Sequence, residues 1–421
     1  MDLKVKINSI IKLAKNNKKI IENYFFMTIL QVLNSFFYLL IYPYLIRTLG
    51  AESYGLFVFA TSITTYFIFL VNFGFDFPAT KAVAENVDNR NKIQETLSCV
   101  FTAKIYLLLL SVFIIGVLLF FVPFLKQHFV LFVFSFAQVI SFIIFPQWFF
   151  QGIQNMKVIT YIQLLIKIVS LPFIFYLIKK PSDVSLYVLI VSLSSLLGGI
   201  IAYGFIRFKY NYHLRFVKRT KLKIWFKDSL PFFLSTSAAV IKEQSITIII
   251  GSFFGMKDVA VYDLANKIII MPRTIFMSIN GAIFPKLIRE INNSKTKKII
   301  NIEVFLSLSV IIFIAIFGNF IVKILGGDEM IKAYPLSILL SVTVMSWLVV
   351  GAYISFVFIP NNRYYLVTKN QIVALSSFLL YTLAGLLLYK SIFVFGIAMA
   401  LSGLTEIVYC KIVANKYRLL S

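Results

Sequence analysis

Acidic side chains are few in this sequence: 17 Asp and Glu stand against 41 Lys and Arg, and charged residues make up only 14% of 421. A soluble domain carries about a quarter charged residues, so this shortage excludes an ordinary water-soluble fold. Cysteine and histidine are scarcer still, at two each. Cys99 and Cys410 lie far apart, at or inside apolar segments, which excludes a disulfide framework and a cysteine-based metal motif. His128 and His213 stand alone, without metal-ligand spacing. No Gly-rich P-loop occurs, so nothing suggests that the chain itself hydrolyses ATP. Long polar stretches are also missing; the longest are the first 23 residues and 207–229. No small-residue cleavage site follows the basic start, and a cleavable signal peptide is therefore not expected.

What is present is apolar. Hydrophobic residues make up 60% of the chain, with 45 Phe and 22 Tyr, and runs of about 20 apolar residues, the length that crosses a bilayer core, recur throughout. They predict an all-α integral membrane protein of about twelve spans. The first six lie near 24–46, 54–73, 101–122, 129–150, 158–178 and 184–206. The second six lie near 230–253, 259–285, 302–325, 334–358, 371–389 and 392–412. Most of the Phe and Tyr belong to lipid-facing and interfacial surface.

The net charge of +24 would suggest nucleic acid in a soluble protein. Here it follows from topology, because cytoplasmic loops of membrane proteins collect Lys and Arg. With the N-terminus inside, the cytoplasmic loops hold 28 basic residues and the opposite loops eight. This count places both termini in the cytoplasm and requires an even number of spans. Residues 1–23 alternate apolar positions with lysines near helical spacing, as an interfacial amphipathic helix on anionic lipid does. Segment 207–229 mixes Phe208, Tyr212, Phe216 and Trp225 with eight cations and lies mid-chain. It reads as a membrane-surface linker between an N-terminal lobe, 24–206, and a C-terminal lobe, 230–421. At an offset of 205 residues Gly50, Tyr54-Gly55 and Ala60 face Gly255, Val259-Ala260 and Ala265, and Lys81 faces Lys286. The offset suggests a parallel repeat of two pseudo-symmetric six-helix lobes, an arrangement that places a substrate site between repeats.

Several segments carry a family resemblance. Tyr42-Pro43-Tyr44-Leu45-Ile46-Arg47-Thr48-Leu49-Gly50 with Tyr54-Gly55, Phe73-Gly74-Phe75 with Ala79-Thr80-Lys81, and Pro146-Gln147-Trp148-Phe149-Phe150-Gln151-Gly152 with Met156 occur in that order. Leu230-Pro231-Phe232-Phe233, Ala260-Val261-Tyr262 and Ala265-Asn266-Lys267-Ile268 follow. Together they resemble the O-antigen repeat-unit flippases (Wzx-type) of the multidrug/oligosaccharidyl-lipid/polysaccharide exporter superfamily. The resemblance implies movement of an undecaprenyl-pyrophosphate-linked oligosaccharide from the cytoplasmic to the periplasmic leaflet of the bacterial inner membrane. It also implies two six-helix lobes around a central, partly hydrated, cationic cavity. No cofactor is expected beyond a coupling H+ or Na+. The expected partners are the lipid-linked glycan, membrane lipids, and a polysaccharide polymerase and chain-length regulator.

A flippase makes no bonds, so no catalytic constellation is sought, and ionisable groups inside spans become the candidates because each is costly to hold in lipid. Lys167 lies near the centre of the fifth span; it is either a cavity cation or half of a structural ion pair. Lys242 and Glu243 are mid-span neighbours that point about 100° apart, so each must find separate company. Glu243 is either an ion-coupling site or a counter-ion for Lys167 or Lys267. Asp263 and Lys267 stand at i,i+4, the spacing of an intrahelical salt bridge, and Asp263 is otherwise a coupling candidate. Arg273 follows Pro272, which should kink its helix; a guanidinium there either suits bidentate capture of phosphate oxygens or, if the span ends early, reaches the cytoplasmic interface. Arg47 matches the family's first-loop arginine by position, although by itself it reads first as an ordinary interfacial residue. Asp76 and Lys81 form a possible gate pair or a solvated turn. Glu406, deep in the last span, is a second coupling candidate. Lys104 is close enough to a span end to snorkel, and Glu303 reads as interfacial. Pro43, Pro146, Pro172 and Pro272 are hinge candidates or tolerated kinks.

Three other functions share this sequence pattern. A multidrug or organic-cation antiporter would have the same fold but an acidic cavity. Here four deep cations (Lys167, Lys242, Lys267 and Arg273) face three acids (Glu243, Asp263 and Glu406), a narrow lean toward an anionic substrate. A membrane-embedded glycan polymerase or ligase would need a sizeable external loop, and every external loop predicted here is short. A channel would have less use for a two-half repeat with kinked helices.

Overall fold

In lipid every backbone N–H and C=O must be satisfied within the segment, so apolar runs of this length fold as helices. The computed structural model describes residues 18–287 and 293–420, and among them the ordered elements are helical, with no strand. Residues 1–17 of the amphipathic helix expected at 1–23 lie outside the described residues, and 18–23 open α1.

The helices are α1 (Lys18–Asn72), α2 (Asp76–Glu85), α3 (Arg90–Phe121), α4 (Pro123–Gln127), α5 (Phe129–Ile144), α6 (Gln147–Gly152) and α7 (Met156–Leu177). They continue with α8 (Val184–Gly204), α9 (Arg219–Phe253), α10 (Met256–Leu287), α11 (Asn293–Gly326), α12 (Ala333–Tyr353), α13 (Tyr364–Leu388) and α14 (Phe393–Lys416). Ten helices among the described residues are long and apolar enough to cross a membrane. One of these is the 48-residue stretch Phe25–Asn72, more than twice a single crossing. It is divided at Gly50, whose φ of 74° and ψ of 164° break the helical path. Counting that stretch as two crossings and adding the 32-residue α10 gives about twelve spans. Exposed Phe113, Phe120, Phe121, Leu383, Leu387 and Leu388 form the outer surface that a lipid solvent accepts.

Several helices extend beyond the apolar runs. α3 starts at Arg90, 11 residues before the expected span at 101, and α9 starts at Arg219 within the expected linker. Pro43 and Pro172 lie inside continuous helices, whereas Pro146 sits at the non-helical break between α5 and α6. The chain separates by contacts into two compact units. One holds the described residues up to Phe37 with Phe67–Ile178 and Ser185–Phe233; the other holds Tyr38–Tyr66, Lys179–Val184 and the chain from Leu234 onward.

Within the second unit the turns at Gly50 and Gly255 lie close together. Gly50 and Gly255 both adopt positive φ, 74° and 103°, a conformation that side-chain-bearing residues avoid. A Cβ at Gly55 would lie 1.8 Å from the Met256 carbonyl oxygen and 3.3 Å from the Ala260 nitrogen. The obstacle is backbone, so relief requires moving a helix. Gly55→Ala is expected to destabilise the protein by about 1–3 kcal/mol, read as a lower thermal unfolding midpoint in detergent. Gly116→Ala, inside α3 with no neighbour within 4 Å, should leave the midpoint unchanged or raise it.

Candidate substrate site

The second unit contains a cavity of about 390 Å³ into which α9, α10, α12, α13 and α14 contribute polar groups. Its charged members are Lys242, Glu243, Arg273 and Glu406, with Asn266 and Gln371 beside them. The adjacent residues Lys242 and Glu243 take separate partners, as their angular separation on one helix requires. The Lys242 ammonium donates to Glu406 Oε1 at 3.3 Å and to Ser402 Oγ at 3.0 Å. Asn370 Nδ2 donates to the other carboxylate oxygen, Glu406 Oε2, at 3.3 Å. Cys410 Sγ in turn donates to Asn370 Oδ1 at 3.4 Å. Asn370 and Cys410 are fully buried. The result is a closed polar chain in which one cation faces one anion and every neighbour supplies a dipole.

Arg273 is held differently. Its guanidinium carbon lies 3.8 Å from the centroid of the Trp347 ring, a close cation–π stack. Its ion pair with Glu243 is loose, at 3.7 Å, and the Glu243 side chain is 53% exposed. The indole fixes the plane of the fork while Glu243 satisfies only part of its donor set. Glu243 is thus the counter-ion of Arg273, rather than of Lys167 or Lys267.

The other candidates are distributed. Asp263 accepts a hydrogen bond from the Tyr54 hydroxyl at 2.9 Å, and the Lys267 ammonium lies 5.3 Å from the Tyr38 ring centroid. The i,i+4 salt bridge is not formed at ion-pair distance among the described residues, because a tyrosine hydroxyl takes the carboxylate and an aromatic face takes the ammonium. Lys167 belongs to the first unit, where its ammonium lies 4.4 Å from the Phe37 ring centroid. It lines a separate cavity of about 270 Å³ with Gln138, Gln147, Gln163 and Ser195. Arg47 is exposed, three residues before the Gly50 bend. Asp76 and Lys81 do not pair. Asp76 accepts from Lys104 at 3.2 Å, and Lys81 meets Glu85 at 3.8 Å on the exposed face of α2.

Two expectations are corrected. Lys104 does not snorkel: it is 2% exposed, paired with Asp76 and 4.7 Å from the Phe142 ring centroid. The reason is the early start of α3, which puts Lys104 well inside the helix. Glu303 is also buried instead of interfacial, since α11 begins at Asn293. The contributions of Trp347, Asn370 and Ser402 were not anticipated. Asn370 lies between Lys369 and Gln371, just outside the span expected at 371–389, so nothing in the sequence signalled its burial or its partner 36 residues away.

The chain was compared with known proteins. Residues 20–289 match the family model described as polysaccharide biosynthesis protein. The chain belongs to that family. Among its relatives, a protein of Escherichia coli (strain K12) named "Putative O-antigen transporter" is 29% identical over 294 residues, covering 68% of this chain and 69% of the relative. A protein of Shigella dysenteriae with the same name is 24% identical over 272 residues, covering 63% and 67%. These polysaccharide biosynthesis relatives are named as transporters, not enzymes. Of solved structures, "Lipid II flippase MurJ, inward closed conformation" aligns with a TM-score of 0.71 at 12% identity, over 94% of this chain and 87% of that one. An inward-facing multidrug resistance MATE family transporter of the MOP superfamily aligns with a TM-score of 0.60 at 14% identity, over 93% and 99%. At such identities the likeness shows a shared fold, a multi-pass bundle of membrane helices.

Proposed function

We propose that the protein is a flippase that moves an undecaprenyl-pyrophosphate-linked oligosaccharide, an O-antigen or similar repeat unit, from the cytoplasmic to the periplasmic leaflet of the bacterial inner membrane. The observation that carries this reading is the match of residues 20–289 to polysaccharide biosynthesis proteins, in a chain with a polar cavity that sets Lys242 and Arg273 beside Glu243 and Glu406. Arg273 is the phosphate ligand. Its loose pair with Glu243 can be exchanged for phosphate oxygens, which a guanidinium binds through parallel donors. Lys242, locked by Glu406 and Ser402, holds the cavity wall. Lys167 and Lys267, each beside an aromatic ring, and the exposed Arg47 are further contacts for the anionic head as it passes.

Transport proceeds by alternating access, with both termini cytoplasmic, and a proton or sodium gradient drives it through Glu243, Asp263 or Glu406. Asp76, released from Lys104, and Lys81 would act at the gate. A polysaccharide polymerase and a chain-length regulator take up the product. Deleting the gene in its host and restoring it on a plasmid tests the reading. Completed lipid-linked repeat units should accumulate on the cytoplasmic face and surface polysaccharide should fall, both reversed by the intact protein. Normal polysaccharide together with altered resistance to organic cations would overturn it in favour of a drug antiporter.

A further inference from the structure

The linker between the sixth and seventh spans is not slack. After a left-handed residue at Asn211, the chain runs without helix to Lys218 along one face of α3. Four α3 side chains spaced by four residues bind it. Arg90 donates to the Asn211 carbonyl at 2.7 Å. Gln94 Oε1 accepts from the His213 amide at 2.8 Å, and its Nε2 donates to the His213 carbonyl. Ser98 Oγ accepts from the Arg215 amide at 3.4 Å. Thr102 Oγ1 accepts from the Val217 amide at 3.3 Å and lies 3.3 Å from the Arg215 carbonyl, while its proton is shared with the Ser98 carbonyl at 2.7 Å. Four helical residues advance about 6 Å and two extended residues about 6.6 Å, so the two periods stay in step. Backbone bonds therefore fall on odd-numbered residues, and the register of the linker is fixed.

That register gathers positive charge. Arg207 donates to His213 Nε2 at 2.9 Å, which leaves that nitrogen without a proton. Desolvation, and then the charges of Arg207, Arg215 and Arg90, push the imidazole below its ordinary range. All three charged groups acting on it are positive. The nearest carboxylate along α3, Glu95, is engaged by Lys221. Tyr212 packs beneath the cluster, buried, with the Arg90 guanidinium 5.9 Å from its ring centroid. On either side Phe208 and Phe216 project, 85% and 73% exposed, as aromatic side chains do at the level of lipid head groups. Like charges held together by a rigid backbone are costly unless an anion joins them.

We propose that Arg90, Arg207, His213 and Arg215 form a binding site for a phosphate-bearing head group at the membrane surface. The site lies in the first unit, apart from the Arg273 cavity, and does not depend on the transport reading. Its phosphate comes either from a bilayer phospholipid or from the diphosphate of a lipid-linked sugar. An anion seated there neutralises the cluster and favours the protonated imidazole, so binding raises the His213 titration midpoint.

With only two histidines in the chain, the test is direct. Protein labelled with ¹³C-histidine is titrated by NMR in phosphatidylcholine nanodiscs, with inorganic pyrophosphate added, and in nanodiscs containing phosphatidylglycerol. His213 is identified by loss of its signal in His213→Asn. A saturable upward shift with pyrophosphate supports a diphosphate ligand. A shift with phosphatidylglycerol alone supports a phospholipid head group. The double variant Arg207→Gln/Arg215→Gln, read at His213, should weaken half-saturation more than tenfold, the loss expected from two charge-assisted hydrogen bonds. No shift with either anion, or an unchanged response in the double variant, overturns the proposal.

Discussion

Lys242→Met is expected to unfold well below the wild-type temperature in detergent, and Lys242→Met/Glu406→Met to recover most of the difference. In the native protein the two side chains are 13% and 14% exposed and 3.3 Å apart. Removing the ammonium leaves the Glu406 carboxylate with a hydrogen bond from Asn370 at 3.3 Å, in surroundings built from buried Asn370, Ser402 and Cys410. An uncompensated buried charge of this kind costs about 3–5 kcal/mol, whereas exchanging both partners for apolar groups of similar volume is often neutral. The pair therefore gives a large coupling energy in a double-mutant cycle. The buried thiols Cys99 and Cys410 supply the readout, because a thiol-reactive dye labels them only as the helices open. If Lys242→Met melts with the wild type, or the double variant is less stable than the single one, the ion pair does not hold the cavity wall.

The spans were legible because lipid leaves the backbone no alternative to helix, and apolar runs mark where that constraint acts. The constraint stops at the head groups, and the reading failed there. Residues Arg90–Val100 are too polar to be counted as span, yet they continue α3 because Gln94 and Ser98 have the linker to bind. Lys104 was misjudged for the same reason: its depth was measured from the apolar run and not from the helix. Inside the spans the sequence exposed which residues were expensive, namely Lys242, Glu243, Arg273 and Glu406. It could not show that Lys242 meets a carboxylate 164 residues away, since pairing depends on helix rotation and packing. The i,i+4 rule suggested a bridge between Asp263 and Lys267, but a hydroxyl from Tyr54, on a different helix, reached the carboxylate. Local spacing states what can meet; tertiary packing selects what does.

Arg273→Lys is expected to lose transport nearly as completely as Arg273→Ala, by about 10- to 100-fold in the rescue of surface polysaccharide. Each charge-assisted hydrogen bond to phosphate contributes about 1.5–3 kcal/mol, and tenfold corresponds to 1.4 kcal/mol. Lysine keeps the charge but not the planar fork, and it cannot lie flat on Trp347, whose ring centroid is 3.8 Å from the guanidinium carbon. Trp347→Phe should retain a weaker stack and most activity, while Trp347→Ala should lose several-fold, in line with about 1–2 kcal/mol for a partly desolvated cation–π contact. Neither Arg273 substitution should unfold the protein, because Glu243, half exposed, can be hydrated once its partner is gone. Loss of transport in a variant that melts with the wild type thus separates phosphate recognition from structural support. Full rescue by Arg273→Lys would show that only a positive charge is needed there, and the bidentate role assigned to the guanidinium would fall.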